Sequence, residues 1–168
     1  MPSMKDVVRY GQSGLCRIDR QVEKEIAGKT SLYYELTPLF KVGSTLFVPC
    51  DNEELVGKMC PPLTRDEVEA LLAEASKTET LWVRDFRKRS EASKRALVSS
   101  DRAEALILIK TIYDHRREMR DTGMRIHTTD DYFLKDAEEL IYSEFSYVLG
   151  VPYEEVEDRV RKLFGVEG

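Results

Sequence analysis

Hydrophobic residues along this 168-residue chain keep two different rhythms. Up to about residue 60 they alternate with polar ones or occur in short β-branched runs, the period of strands; beyond Pro61-Pro62 they recur every three or four positions, the period of helices. In the first part, residues 7–10 predict a brief strand stopped by Gly11, and residues 14–18 begin a second. A turn at 27–29 leads into a third strand over 30–40, with Leu32, Tyr34 and Leu36 on one parity, closed by residues 41–43. Residues 45–49 predict a fourth strand ending at Pro49, which cannot donate to a ladder. Residues 51–56 read as a turn or a single helical turn, and 57–60 as a fifth strand. Short strands with glycine-marked turns at this density predict a small, strongly bent barrel, an architecture of binding modules more than of enzymes.

The second part opens with Thr64 as N-cap and Glu67 three residues on, followed by Val68, Leu71, Leu72 and Ala75. Residues 77–80 are a polar connector. Asp101 and Glu104 have capping-box spacing ahead of a helix through Leu106, Ile107, Leu108, Ile109, Ile112 and Tyr113. That helix is apolar nearly all round, which predicts the centre of a bundle. After a loop at 122–127, Thr128 and Asp131 start another helix carrying Phe133, Leu134, Ala137, Leu140, Ile141, Phe145, Val148 and Leu149. Gly150 is placed as its C′ residue and Pro152 as N1 of a last helix using Val156, Val160, Leu163 and Phe164. The fold class expected is α+β: a five-stranded Tudor/SH3-like β-barrel over residues 1–62, then a five-helix all-α domain over 63–168.

One stretch stands apart in charge. Residues 81–98 hold six basic and two acidic side chains in a chain of net charge −5, whereas residues 128–168 hold four basic and eleven acidic ones. Read as a helix from Leu81 to Leu97, the stretch puts Val83, Phe86, Ser90, Ser93 and Leu97 on one side and Arg84, Arg87, Lys88, Lys94 and Arg95 on the other. Trp82, the single tryptophan, falls in the first turn at the edge of the packing face. A cationic stripe beside a large flat ring can grip a phosphate backbone and press against bases; a core tryptophan above a solvated face fits the same pattern. The acidic balance elsewhere means that the free chain binds nucleic acid weakly, so a protein partner is needed to deliver it.

Other chemistry is sparse. Cys16, Cys50 and Cys60 form no CxxC pair and read as reduced thiols of a cytoplasmic protein. His115 and His127 share no metal-ligand spacing and read as surface or loop residues, and no phosphate-cradling glycine motif occurs. The pairs Asp130-Asp131, Glu138-Glu139 and Glu154-Glu155 read as solvated helix faces. No catalytic residue, metal or cofactor is expected, so the chain does not read as an enzyme. No apolar leader or membrane span is expected either.

With these residues in view, the chain resembles the CarD/CdnL family of bacterial transcription regulators. The resemblance rests on Asp6-Val7-Val8, Tyr10, Gly14, the turn Glu25-Ile26-Ala27-Gly28, Tyr33-Tyr34-Glu35-Leu36 and the run from Val48-Pro49 through Asn52 and Glu54 to Val56-Gly57. In the second part it rests on Trp82-Val83-Arg84-Asp85-Phe86-Arg87 and the Ser100-Asp101 helix start. Departures are Lys5 for the family's Gly, Gly11 for a frequent Pro, and Phe47 where some relatives carry a basic residue.

The resemblance implies a Tudor-like domain that binds the RNA polymerase β subunit, with Lys24, Thr45 and Phe47 at contact positions. Phe47 is equally readable as core. It also implies a helical domain on promoter DNA at the upstream edge of the melted region, with Trp82 wedged into the minor groove and Arg84, Arg87 and Lys88 on phosphates. The protein would stabilise the open complex, as a monomer, in the cytoplasm. The alternative is a Tudor-like protein- or RNA-binding adaptor whose helices form a second protein interface, with Trp82 in the core and no DNA wedge.

Overall fold

A computed structural model describes residues 2–166. The chain divides into two compact units, one ending at Pro62 and the other beginning at Leu63. It is an α+β protein.

The N-terminal unit is a five-stranded antiparallel sheet. Its strands are β1 (Val7–Tyr10), β2 (Leu15–Ile26), β3 (Lys29–Pro38), β4 (Leu46–Pro49) and β5 (Met59–Cys60), ordered β4-β3-β2-β1-β5. β2 runs eight residues past the stretch legible from its alternation. Its far half is polar and gains its strand conformation from pairing with β3 through a two-residue turn. Ala27 and Gly28 there have φ of 53° and 78°, the left-handed pair that matches strand twist. An irregularity between Ile18 and Arg20 shifts the register, so that Gln21 lies opposite Tyr34, and beyond it no residue of β2 is buried. The core is Val8, Cys16, Ile18, Tyr34, Leu36 and Val48. The edge strands β4 and β5 do not pair with each other. Between them in the chain lies α1 (Glu53–Gly57), capped by Asn52, whose side chain accepts from the Leu55 amide at 3.0 Å. Leu55 and Val56 of α1 pack on the core, so this helical turn covers what strand pairing leaves open.

The second unit holds α2 (Arg65–Lys77), α3 (Phe86–Val98), α4 (Arg102–Thr122), α5 (Thr128–Leu149) and α6 (Tyr153–Leu163). α2 begins with a full capping box, the Glu67 amide donating to Thr64 Oγ1 at 3.1 Å. At Asp101 the expected box is not formed. Its carboxylate accepts from the Ala103 amide, while Glu104 takes the Ser99 hydroxyl instead. α5 is capped by His127 Nδ1, not by Thr128, and Pro152 is the N-cap of α6 rather than its first helical residue.

The bundle's centre is α5 and not α4. α5 packs against all four other helices and buries Leu134, Ala137, Leu140, Ile141, Tyr142, Phe145 and Leu149. α4 leaves Ile107 and Leu108 only half-buried, which accounts for apolar positions that its packing face does not need.

Two carboxylates expected on solvated faces are buried. Asp130 is 1% exposed and Glu138 9%. Glu138 accepts from the Tyr113 hydroxyl at 2.6 Å, and burial pushes its carboxyl above the usual range, opposed by that bond and by Arg161. Glu144 meets Arg102 in a fully buried pair at 2.9 Å and also accepts from the Leu63 amide at 3.1 Å, tying the start of the unit to α4 and α5. Among the described residues no helix is long and apolar enough to cross a membrane.

Candidate nucleic-acid and polymerase interfaces

The cationic helix starts at Phe86, not Leu81. Asp85 is its N-cap, accepting from the Lys88 amide at 3.0 Å, and an N-cap residue has an extended backbone that the preceding residues continue. Trp82 therefore lies in an extended strap, residues 78–85, and not in a helical turn. The strap is laid along α4 by named contacts. Lys110 Nζ donates to the carbonyls of Ala75 and Ser76 at 3.0 and 3.3 Å, closing the end of α2. The Thr80 hydroxyl donates to Asp114 at 2.6 Å.

Trp82 then stacks on His115, centroids 3.6 Å apart and planes within 3°. His115 is thus no surface residue but a platform for the indole. Burial holds its imidazole below the ordinary value, so the neutral ring is favoured in the stack. Arg89 completes the arrangement. Its guanidinium carbon lies 4.5 Å from the indole centroid, its Nε and one terminal nitrogen reach Asp130 at 2.9 and 2.8 Å, and its other terminal nitrogen donates to the Val83 carbonyl at 2.9 Å. One side chain thereby ties the strap, α3 and the start of α5 together. A parallel ring pair and a guanidinium over an indole each contribute about 0.5–1.5 kcal/mol.

The result is a half-buried indole beside an exposed Leu81, 81% accessible. Arg84, Arg87, Lys88, Lys94 and Arg95 are all exposed. Arg84 adjoins the indole in sequence on the strap; Arg87 and Lys88 stand on the first turn of α3. Among the described residues, only Arg87 of this set has an ion-pair partner, Glu91 at 3.5 Å. The helix's first-turn dipole adds to the cationic field. Beneath Leu81 and Trp82 opens an apolar cavity of about 360 Å³, lined further by Val83, Ala92, Ala96 and Ile107. Arg89 was not singled out from sequence, His115 read there as a surface or loop residue, and Leu81 only as the start of the basic stretch. The first two act through partners 33 and 41 residues away in the chain, a separation that leaves no local pattern.

In the N-terminal unit, Phe47 lies on the edge strand β4, paired with Glu35 of β3, and is 37% exposed with its neighbour Val48 in the core. It therefore faces outward and is not part of the core. Lys24 Nζ stands 3.5 Å from its ring centroid, and Thr45 is exposed just before β4. Lys24 and Phe47 come together across the sheet as a cation on an aromatic face.

Residues 3–60 match the family model of the CarD-like/TRCF RID domain. The N-terminal unit is a CarD-like/TRCF RID domain. This domain interacts with RNA polymerase, so the chain is an RNA polymerase-interacting factor, and the family is a non-enzymatic one. The match covers about a third of the chain, and the helical unit lies outside it. No curated protein matches the chain as a relative. The RID carries Lys24, Thr45 and Phe47; Trp82 and the cations of α3 belong to the unit that follows it.

Proposed function

We propose that the RID tethers this chain to the polymerase β subunit through the outward face around Lys24, Thr45 and Phe47, and that the helical unit contacts promoter DNA at the upstream edge of the bubble. There the edge of Trp82 enters the minor groove, and Arg84, Arg87 and Lys88 neutralise phosphates. The observation that carries the reading is the strap. An indole fixed by His115 and Arg89 at the foot of exposed cations has already lost the rotamer freedom that wedging would otherwise cost.

A wedge shifts the closed–open equilibrium only by its preference for one state over the other. A partly unstacked junction admits an aromatic edge at lower cost than intact duplex does, so the preference is for the open complex. About 1.4 kcal/mol of such preference changes occupancy tenfold. The polymerase supplies high local concentration, which compensates for a net charge of −5.

The test is Trp82→Ala in the full chain, measured by open-complex lifetime on a defined promoter alongside polymerase pull-down. Retained polymerase binding with a lifetime shortened severalfold is expected. An unchanged lifetime would favour the adaptor reading, in which the helices dock on protein.

A further inference from the structure

A second cationic feature lies just beyond His115 on α4. Arg116, Arg117 and Arg120 on its last turns and Arg161 from α6 converge on a cavity of about 250 Å³, with Tyr113 and Gly165 completing most of its wall. No carboxylate among the described residues lines it. Helix C-termini favour cations on the last turns of both α4 and α6, Arg161 included, but they do not offset the mutual repulsion of four guanidinium groups gathered around one cavity.

The partners of the four leave most of their N–H groups unused. Arg116 donates to Asp131 at 3.0 Å; Arg117 donates to Asp114 at 2.6 Å and to the Phe164 carbonyl at 3.1 Å. Arg161 stands 3.7 Å from Glu138 and 3.8 Å from Glu157, and its Nε is buried with no hydrogen-bond acceptor. Arg120 has no ion-pair partner among the described residues. Gly165, at φ 76°, lets Arg117 approach the chain; a Cβ there would come within 3.0 Å of its guanidinium. The arrangement is a set of planar forks around a void, the geometry that matches phosphoryl oxygens two at a time.

We infer that this arginine cavity binds a small molecule carrying a pyrophosphate linkage, inorganic pyrophosphate or a nucleoside di- or triphosphate. A single phosphate engages roughly two forks, whereas two linked phosphoryl groups present enough terminal oxygens for four. Successive phosphates of a nucleic-acid backbone are separated by a sugar and stand farther apart than the two phosphoryl groups of a pyrophosphate, which share one bridging oxygen. Bound there, the ligand would bridge α4 to α6. The inference is independent of the role proposed for Trp82.

The experiment is calorimetric titration of the full chain at constant ionic strength with inorganic pyrophosphate, orthophosphate and ADP, repeated on Arg120→Ala. Arg120 is exposed, so its removal leaves the fold intact, and an unchanged melting curve verifies this. Arg161→Gln serves as a second variant. Saturable pyrophosphate binding is expected, at least about tenfold tighter than orthophosphate and weakened about tenfold by Arg120→Ala. ADP at equal or higher affinity identifies nucleotides as the ligand class, and weaker ADP identifies inorganic pyrophosphate. Absence of saturable pyrophosphate binding, or binding that both variants leave unchanged, would overturn the inference. So would loss of duplex DNA binding in Arg120→Ala with pyrophosphate affinity intact.

Discussion

Arg89→Ala probes how firmly Trp82 is held. The Arg89 and Asp130 side chains are 13% and 1% exposed and share two hydrogen bonds. The substitution strands a buried carboxylate, deletes the bond to the Val83 carbonyl and uncovers the indole. Breaking a buried pair costs about 3–5 kcal/mol. Asp130 lies in the first turn of α5, where the helix dipole offsets up to about 1 kcal/mol of that. A net loss of about 2–4 kcal/mol follows, or about 8–16 °C in Tm for a unit of this size. Trp82 is the only tryptophan, so its emission follows this unit alone in the full chain. The expected result is a red-shifted, more quenchable native emission together with an earlier unfolding transition. Arg89→Ala/Asp130→Leu should recover much of the stability, since no charge is then stranded, yet keep the exposed emission. A native emission identical to the parent, with Tm lowered by less than about 2 °C, would refute the latch.

Three other outcomes follow from the same geometry. Replacing Arg84, Arg87 and Lys88 by Ala one at a time should each reduce the salt slope of DNA binding by about one, measured by anisotropy of a promoter fork with polymerase present, with little change in stability because all three are exposed. Phe47→Ala or Lys24→Ala should weaken polymerase capture while moving Tm by no more than the equivalent of about 0.5 kcal/mol, because neither side chain is in the core. Burial, with Arg89 acting in the same sense and Glu118 and Asp130 opposing, holds His115 below its ordinary value of 6.5. Its contribution to stability is therefore complete above about pH 6.5 and is lost as pH falls through the lowered folded value. Denaturant midpoints followed by Trp82 emission between about pH 5 and 8 should rise with pH. His115→Phe should flatten that slope.

Much of the fold was legible because its signals are carried by residues next to one another in the chain. Thr64 and Glu67 announce α2 through bonds spanning three residues, Gly150 ends α5 in the left-handed conformation its position implies, and Ala27-Gly28 turns β2 into β3. The contrast between a strand-period first part and a helix-period second part is a property of spacing alone. So is the accumulation of positive charge around Trp82.

What the tertiary structure decided concerns groups brought together from distant parts of the chain. Whether residues 81–85 continue a helix or lie extended depends on Asp85 capping α3 and on His115, in another helix, offering its ring to Trp82. Whether Phe47 faces core or solvent depends on the register of β4 against β3, which sets Val48 opposite the buried Tyr34 and Phe47 opposite Glu35. Asp130 and Glu138 carry the composition of surface residues and became interior ones only because Arg89 and Tyr113 met them there. Local spacing determines which elements form. Which polar groups can be buried is determined by partners that only packing supplies, since a buried charge or donor is tolerable only where its complement has been placed within about 3 Å.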